Sequence, residues 1–235
     1  MIRTAWWTVV DLVATARLHL RALRLPVVPP HWSRGDERLP EVVLVPGVYE
    51  QWWFLRDYAE LLNAAGYRVR VVHGLGYNLR GIVETAELLA AALRRRTVAD
   101  AGILLVGHSK GGLIGKQLLR RRDPELRLHG VVAVATPFGG SRLARQAIDP
   151  HLRVFSPLDP TIVELGMDAR LNESIVSVYG VFDPDIPDGS TLSDATNVPV
   201  TSTGHMSILL DAEAAQAVLD AVRSLTPVRV PGAGA

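Results

Sequence analysis

The 235-residue chain contains no cysteine. It therefore has no disulfide framework and no thiolate metal site, and its compartment is not marked by cysteine usage. Net charge is also nearly missing, with 25 Lys and Arg against 24 Asp and Glu, a formal +1. No basic block alternates with aromatics, which argues against nucleic acid as a partner. No run reaches the ~18 apolar residues that a membrane-spanning helix needs. No His, Asp or Glu cluster has metal-ligand spacing such as H-x-x-x-H, so no metal is expected. No G-x-x-x-x-G-K-[ST] or G-x-G-x-x-G follows a strand pattern, so no nucleotide cofactor is expected either. There is no internal repeat and no sign of a second domain. What is present is a globular composition: 48% hydrophobic and 21% charged residues exclude disorder for the body. A chain of this length buries roughly 70–75% of its unfolded surface.

The most informative segment is Gly107-His108-Ser109-Lys110-Gly111, a G-x-S-x-G pattern. The apolar run Gly102-Ile103-Leu104-Leu105-Val106 precedes it, and the helical pattern from Leu113 to Leu119 follows. A strand, a sharp turn and a helix would lift the Ser109 hydroxyl above the sheet edge, with Gly107 and Gly111 keeping side chains out of the turn. Gly112 would let the helix pack closely on its neighbouring strands. Taken alone, the pattern is also compatible with a glycine-rich turn holding a buried hydroxyl.

A serine nucleophile needs a base, and the base needs an orienting acid. Of the seven histidines, only His129, His151 and His205 follow Ser109. His129 precedes a strand, at the wrong end for a site. His151 sits in an irregular stretch after Asp149-Pro150. His205 follows the short strand Val198-Pro199-Val200-Thr201, at the carboxyl end where open α/β sheets place their sites. The acid should follow an earlier strand on the same side. Asp183 comes right after the β-rich run Ser174 to Gly180, with Asp185 and Asp188 as nearby competitors. Any of the three could instead be a turn former. For an oxyanion, one donor would be the Lys110 N–H and the other would come from the loop after the first core strand. That loop is Pro46-Gly47-Val48-Tyr49-Glu50. Pro46 has no N–H, which makes Val48 the candidate. His73, in His73-Gly74-Leu75-Gly76, imitates a histidine-bearing oxyanion loop, and His108 is read as a structural hydrogen-bonding residue.

With these pieces in order, the chain resembles the α/β-hydrolase superfamily, in particular the small bacterial lipases and esterases with little or no lid. The resemblance runs from about Leu39 to Leu225. It is carried by Leu44-Val45-Pro46-Gly47-Val48, by Gly107 to Gly112 and by Ala135-Thr136-Pro137-Phe138-Gly139-Gly140. Ser177 to Asp183 and Gly204 to Leu210 complete it. It implies a doubly wound, mostly parallel sheet flanked by helices. It also implies a carboxylic-ester hydrolase with Ser109 as nucleophile, Asp183 as acid and His205 as base, acting on small-molecule or lipid esters. Two positions depart from the family's habit: Pro46 stands where His is frequent, and Lys110 where Met or Gln is frequent. An acyltransferase with the same triad and a catalytically silent binding protein are the alternative readings.

The rest of the pattern alternates strand and helix. Strands are predicted at 42–45, 67–72, 102–106 and 131–134. Helices are predicted at 52–66 and 82–96, the latter with Leu88, Leu89, Ala92 and Leu93 facing the sheet. A last helix is predicted from Asp211, its N-cap. Residues 139–172 are irregular, with two apolar stretches that would either line an acyl pocket or pack on the sheet. Residues 1–40 read as an amphipathic helix followed by a Pro-rich linker, residues 41–226 as the hydrolase domain and residues 227–235 as a mobile tail. In the first helix Trp6, Val9, Val10 and Val13 share a face. Asp11 interrupts both a signal-peptide and a membrane-span reading. That leaves a helix packed on the body or one lying on a membrane surface. The expected location is cytoplasmic, with export or peripheral membrane attachment as the alternative.

Overall fold

The computed structural model describes residues 2–24, 27–95 and 100–227. Leu25, Arg96, almost all of the expected tail and the side chains of Arg3 and Arg24 lie outside the described residues. Six strands form one sheet: β1 (Glu41–Val45), β2 (Val69–Val71), β3 (Ile103–His108), β4 (Leu128–Val134), β5 (Ile175–Phe182) and β6 (Thr196–Thr203). All neighbours pair in parallel, in the order β2-β1-β3-β4-β5-β6. The central strands are buried on both faces, which is why Val42–Val45 and Ile103–Val106 read as unbroken apolar runs rather than alternating ones. The edge strands differ. β2 is only three residues long, and β6 is largely polar and carries Pro199, tolerable because an edge strand has ladder positions without a partner.

Helices cover both faces. The N-terminal helix α1 spans Ile2–Leu20, α2 Arg56–Ala64, α3 Ile82–Arg94 and α4 Lys110–Arg121. The short α5 (Pro150–Arg153), α6 (Pro160–Met167) and α7 (Ala212–Leu225) follow. One core gathers α2 and α7 against Val42, Leu44, Leu104 and Val132. The other gathers α3 and α4 against Val43, Val45, Leu105 and Val131. Helix α4 is buried on every side from Lys110 to Leu118, so it shows no solvent face in its first two turns. Asp211 caps α7 by accepting the Ala214 N–H, as its position predicts. On α3 the buried stripe is Ile82, Ala86, Leu89, Ala90 and Leu93; Leu88 points outward, one position off the expected stripe.

The segment before β1 is tied into the body. Trp32 is fully buried and meets Trp52 edge-to-face, ring centroids 5.5 Å apart. Helix α1 buries Asp11, Ala14 and Leu18, an i, i+3, i+7 stripe. It is anchored at its C-terminal end by the Arg21–Asp57 ion pair at 2.8 Å. Asp11 is the unusual member, because a buried carboxylate needs partners. Its Oδ1 accepts the backbone N–H groups of Met206 and Ser207 at 2.7 and 2.8 Å. Those two residues directly follow His205, so α1 fixes the loop that carries it.

Asp11→Ala would leave both amides without that acceptor, a loss of about 2–3 kcal/mol and a fall in Tm of about 5–10 °C. Asp11→Asn keeps an acceptor oxygen and should retain most of the stability. Thermal melts of the two variants check this, and an alanine variant that melts like the native protein would refute it.

Candidate active site

The strand order places the site. The chain leaves β1 for β2 on one side and returns to β3 on the other, so the loops after β1 and β3 diverge and open a crevice at the carboxyl ends of the strands. Loop 46–50 and the turn at Ser109 border that crevice.

Ser109 has φ 53° and ψ −119°, a strained conformation for a non-glycine residue at a strand-to-helix turn. Packing enforces it. A Cβ on Gly111 would collide with the Val45 carbonyl oxygen, and one on Gly107 would lie 2.6 Å from the Gly111 oxygen. Thr136 Oγ1 donates to the Ser109 carbonyl at 3.0 Å, and the Ser109 N–H donates to the Val134 carbonyl at 2.8 Å. The turn is thus braced from β4 as well as β1.

His205 lies in the loop after β6, and Asp183 directly follows β5. Paired neighbours bring their side chains together: His205 Nδ1 meets Asp183 Oδ2 at 2.8 Å. The second Asp183 oxygen, Oδ1, accepts the N–H groups of Asp185 and Ile186 at 2.9 and 3.0 Å. Burial works to raise the Asp183 pKa, but the His205 charge and these hydrogen bonds outweigh it and hold the carboxyl below its usual value. Burial likewise opposes the charged form of His205. The Asp183 carboxylate outweighs it, with Asp185 and Glu50 adding to the effect, and the imidazole is pushed up to about 10. Of the competing acids, Asp188 pairs with Arg142 at 2.7 Å, while Asp185 lines the cavity without bonding His205. His129 Nε2 donates to the Ala101 carbonyl near the start of β4, His151 sits against Leu79 and Tyr49, and His73 is exposed.

Ser109 and His205 open into one cavity of about 290 Å³. Its far wall is apolar: Pro137, Leu143, Ala144, Ala147, Leu152 and Phe155. Leu143, Ala144 and Ala147 of the first apolar stretch line the cavity and Ile148 is exposed, while Ile162 and Leu165 of α6 pack into the sheet core. Part of this region thus faces the cavity and part packs on the sheet. Loop 46–50 forms the opposite wall. The Gly47 N–H is taken by Glu50 Oε2 at 2.8 Å and the Tyr49 N–H by the Tyr77 carbonyl at 2.8 Å. Of these three neighbouring amides, that leaves Val48 as the candidate donor. The Lys110 amide is at the first position of α4, where N–H groups have no intrahelical partner. The Lys110 side chain is buried and turns away from the cavity. Its ammonium donates to the carbonyls of Asn78, at 2.7 Å, and Arg80, and burial lowers its pKa to about 8.

Three residues here were not legible as site residues. Glu50 is buried and receives His108 Nδ1 at 2.7 Å, while His108 Nε2 lies 3.0 Å from the His205 carbonyl oxygen. The His205 carbonyl can only accept, so His108 Nε2 is the donor in that contact. Glu50 and His108 thereby join loop 46–50, the turn at Ser109 and the His205 loop. Asn78 adds a bond from its Nδ2 to the Pro46 carbonyl at 2.7 Å. Glu50, with Tyr49 and Gln51 beside it, carried no sequence signal. Asp11 carried only the reading of an interruption: the apolar face marked in the sequence was Trp6, Val9, Val10 and Val13, whereas the buried stripe is Asp11, Ala14 and Leu18. Glu50, His108 and His205 also form a group with metal-ligand atoms within 4.8 Å of one another. A cation there would have to displace the hydrogen bonds just described.

Solved structures with similar folds match well. A mature-form lipase from Bacillus licheniformis matches with TM-score 0.60 and 18% identity over 86% of this chain and 96% of its own. A monoacylglycerol lipase from Paleococcus ferrophilus matches with TM-score 0.53 and 20% identity over 80% and 95%. The chain has the α/β-hydrolase fold. A thioesterase domain from the curacin biosynthetic pathway shares this hydrolase fold, with TM-score 0.56 and 16% identity over 80% and 92%. No protein-family model matches the chain, and no curated protein matches it.

Proposed function

We propose that this protein is a serine hydrolase of carboxylic esters. The observation that carries the reading is a conformationally strained serine sharing a cavity with a histidine whose far nitrogen is held by a buried carboxylate. In the reaction, Ser109 Oγ bonds to the ester carbonyl carbon and His205 Nε2 takes its proton. The Val48 and Lys110 amides hold the oxyanion, each donor contributing about 10²–10³ in rate. The C–O bond to the alcohol breaks and His205 returns the proton to the leaving oxygen. Water then attacks the acyl-Ser109 ester, giving its proton to His205, and the acid departs as Ser109 regains its hydrogen. Asp183 keeps the imidazole oriented and balances its charge. The apolar wall from Pro137 to Phe155 supports acyl-chain binding. A cavity of this size is at the small end of the roughly 300–1,000 Å³ ligand-site range, which favours a short or medium chain.

Intact mass after treatment with a fluorophosphonate tests the reading. One adduct on the native protein and none on Ser109→Ala is the expected result. Folded native protein that takes no adduct would overturn it. An acyltransferase would give the same adduct and is separated by product analysis in the presence of added alcohol.

A second feature supports contact with a membrane surface. No helix among the described residues is long and apolar enough to cross a membrane. The outer face of α1, however, exposes Trp6 (66%), Leu12 (68%), Val9 and Val13. A tryptophan-bearing apolar face on a helix held to the body by its opposite side suits an interfacial position. The protein is expected to sediment with phosphatidylglycerol-containing vesicles and Trp6→Ser to sediment less. Equal sedimentation of the two would remove the case for α1 as the contact.

A further inference from the structure

Two peptide groups of the site are gripped at both ends by buried side chains. The first joins His205 to Met206. Its carbonyl accepts from His108 Nε2 at 3.0 Å, and its N–H donates to Asp11 Oδ1 at 2.7 Å. The second joins Pro46 to Gly47. Its carbonyl accepts from Asn78 Nδ2 at 2.7 Å, and its N–H donates to Glu50 Oε2 at 2.8 Å. The two grips are linked, because the other oxygen of Glu50 meets His108 Nδ1 at 2.7 Å. The four side chains come from α1, the loop after β1, the loop after β2 and the end of β3, and all four are buried.

We propose that Asp11, His108, Glu50 and Asn78 act as one positioning unit, which sets the base His205 relative to the oxyanion donor on Val48. The proposal rests on the serine-hydrolase reading of Ser109 and deepens it. The first gripped peptide directly follows the His205 side chain, and the second directly precedes the Val48 amide. A planar peptide held at one end can still tilt through the dihedrals that flank it. Bonds to both its oxygen and its N–H remove that freedom. Burial strengthens those bonds, since water does not compete for them. The approach is close in both places: a Cβ on Gly204 would collide with Asp11 Oδ1, and one on Gly47 with Glu50 Oε1.

The unit complements what Asp183 does. Asp183 holds the imidazole ring through Nδ1, and the unit holds the backbone from which the ring projects. Tolerance in such geometry is narrow, a misplacement of about 1 Å costing on the order of 10² in rate. Neither Asp11 nor Asn78 lines the cavity that holds Ser109, so each acts on turnover rather than on substrate binding.

The test measures kcat and KM on 4-nitrophenyl butyrate, with the fluorophosphonate labelling rate alongside. Assays run at a temperature where melts show every variant folded. Asp11→Ala releases the first peptide. Asn78→Gly releases the second, and because Asn78 has φ 52° glycine fits that turn without strain. The expected losses in kcat are about 30-fold and about tenfold, with labelling slowed in proportion and KM within about twofold of native. Two residues with no shared partner would act independently, and their losses would multiply to about 300-fold. As ends of one unit they should give Asp11→Ala/Asn78→Gly a loss below about 100-fold. Asp11→Asn keeps the acceptor oxygen and should recover kcat to within about threefold of native. Arg21→Met removes the other tie of α1, its ion pair with Asp57, and should leave kcat at the native value. Native kcat in both single variants, a multiplicative loss in the double variant, or an Arg21→Met loss equal to that of Asp11→Ala each overturns the positioning unit. Labelling of the native protein leaves the hydrolase reading intact in all three cases. A native protein that neither labels nor cleaves the ester overturns both.

Discussion

Ser109→Ala is expected to lose on the order of 10⁶ in turnover on an ester the native protein cleaves, with a melting temperature close to native. The magnitude follows from the chemistry. Without Oγ there is no covalent intermediate, and His205 and Asp183 have no nucleophile to activate. What survives is binding and oxyanion stabilisation, which elsewhere leave roughly 10³–10⁴ over the uncatalysed reaction. Stability should hold because Ser109 Oγ is not what braces the turn: the bracing bonds run through the Ser109 backbone to Thr136 and Val134. Removing the hydroxyl leaves those bonds in place, and the strained φ of 53° remains enforced by Gly107 and Gly111. Steady-state kinetics and a thermal melt of one preparation check both halves. A variant that turns over at the native rate would remove Ser109 from the mechanism.

Asp183→Asn is expected to lower kcat by about 10⁴, because an amide donating toward Nδ1 stabilises the wrong imidazole tautomer. Its pH dependence carries a sign that can be worked out. His205 acts as a base only when neutral, and its pKa is raised to about 10 by the Asp183 carboxylate against the opposing effect of burial. Proton loss from the free enzyme therefore lies on the alkaline side of the ordinary histidine value. The native rate should climb with pH from neutral into the alkaline range. An unperturbed histidine would put that limb at about pH 6–7. The acid pair moves that limb upward. In Asp183→Asn the burial of His205 remains while its largest favourable partner is gone, so the residual activity should have its midpoint shifted down. Asp185 and Glu50 still face the ring and keep the shift from being complete. A pH profile of kcat/KM for the two proteins decides it, and a variant midpoint at or above the native one would contradict this account of the dyad.

Much of the fold could be read directly from the chain. Parallel strands buried on both faces must be apolar throughout, and Val42–Val45 and Ile103–Val106 are. The glycines around Ser109 announce a turn that excludes side chains, and the structure shows the collisions they prevent. The order of Ser109, Asp183 and His205 at strand ends was also legible, because strand alternation fixes which ends share a side of the sheet. Between Asp183 and its neighbour Asp185, sequence gave only proximity to the strand end. The approach of His205 Nδ1 to Asp183, at 2.8 Å, distinguishes them geometrically.

Other features depend on contacts between residues far apart in the chain. Asp11 reads as a flaw in an apolar helix until α1 is laid across a loop 195 residues away, where its carboxylate caps the amides after His205. Glu50 reads as a surface residue beside a turn until β1 and β3 pair and bring it against His108. Lys110 departs from the family's usual Met or Gln in the serine turn, and its ammonium runs away from the cavity to the carbonyls of Asn78 and Arg80. Local sequence determined the strands, the turn at Ser109 and the order of Ser109, Asp183 and His205, because those follow from periodicity and backbone sterics. Only the tertiary structure decided which buried charges meet, what each satisfies and which walls enclose the cavity, because such pairings depend on the three-dimensional meeting of segments that no spacing along the chain encodes.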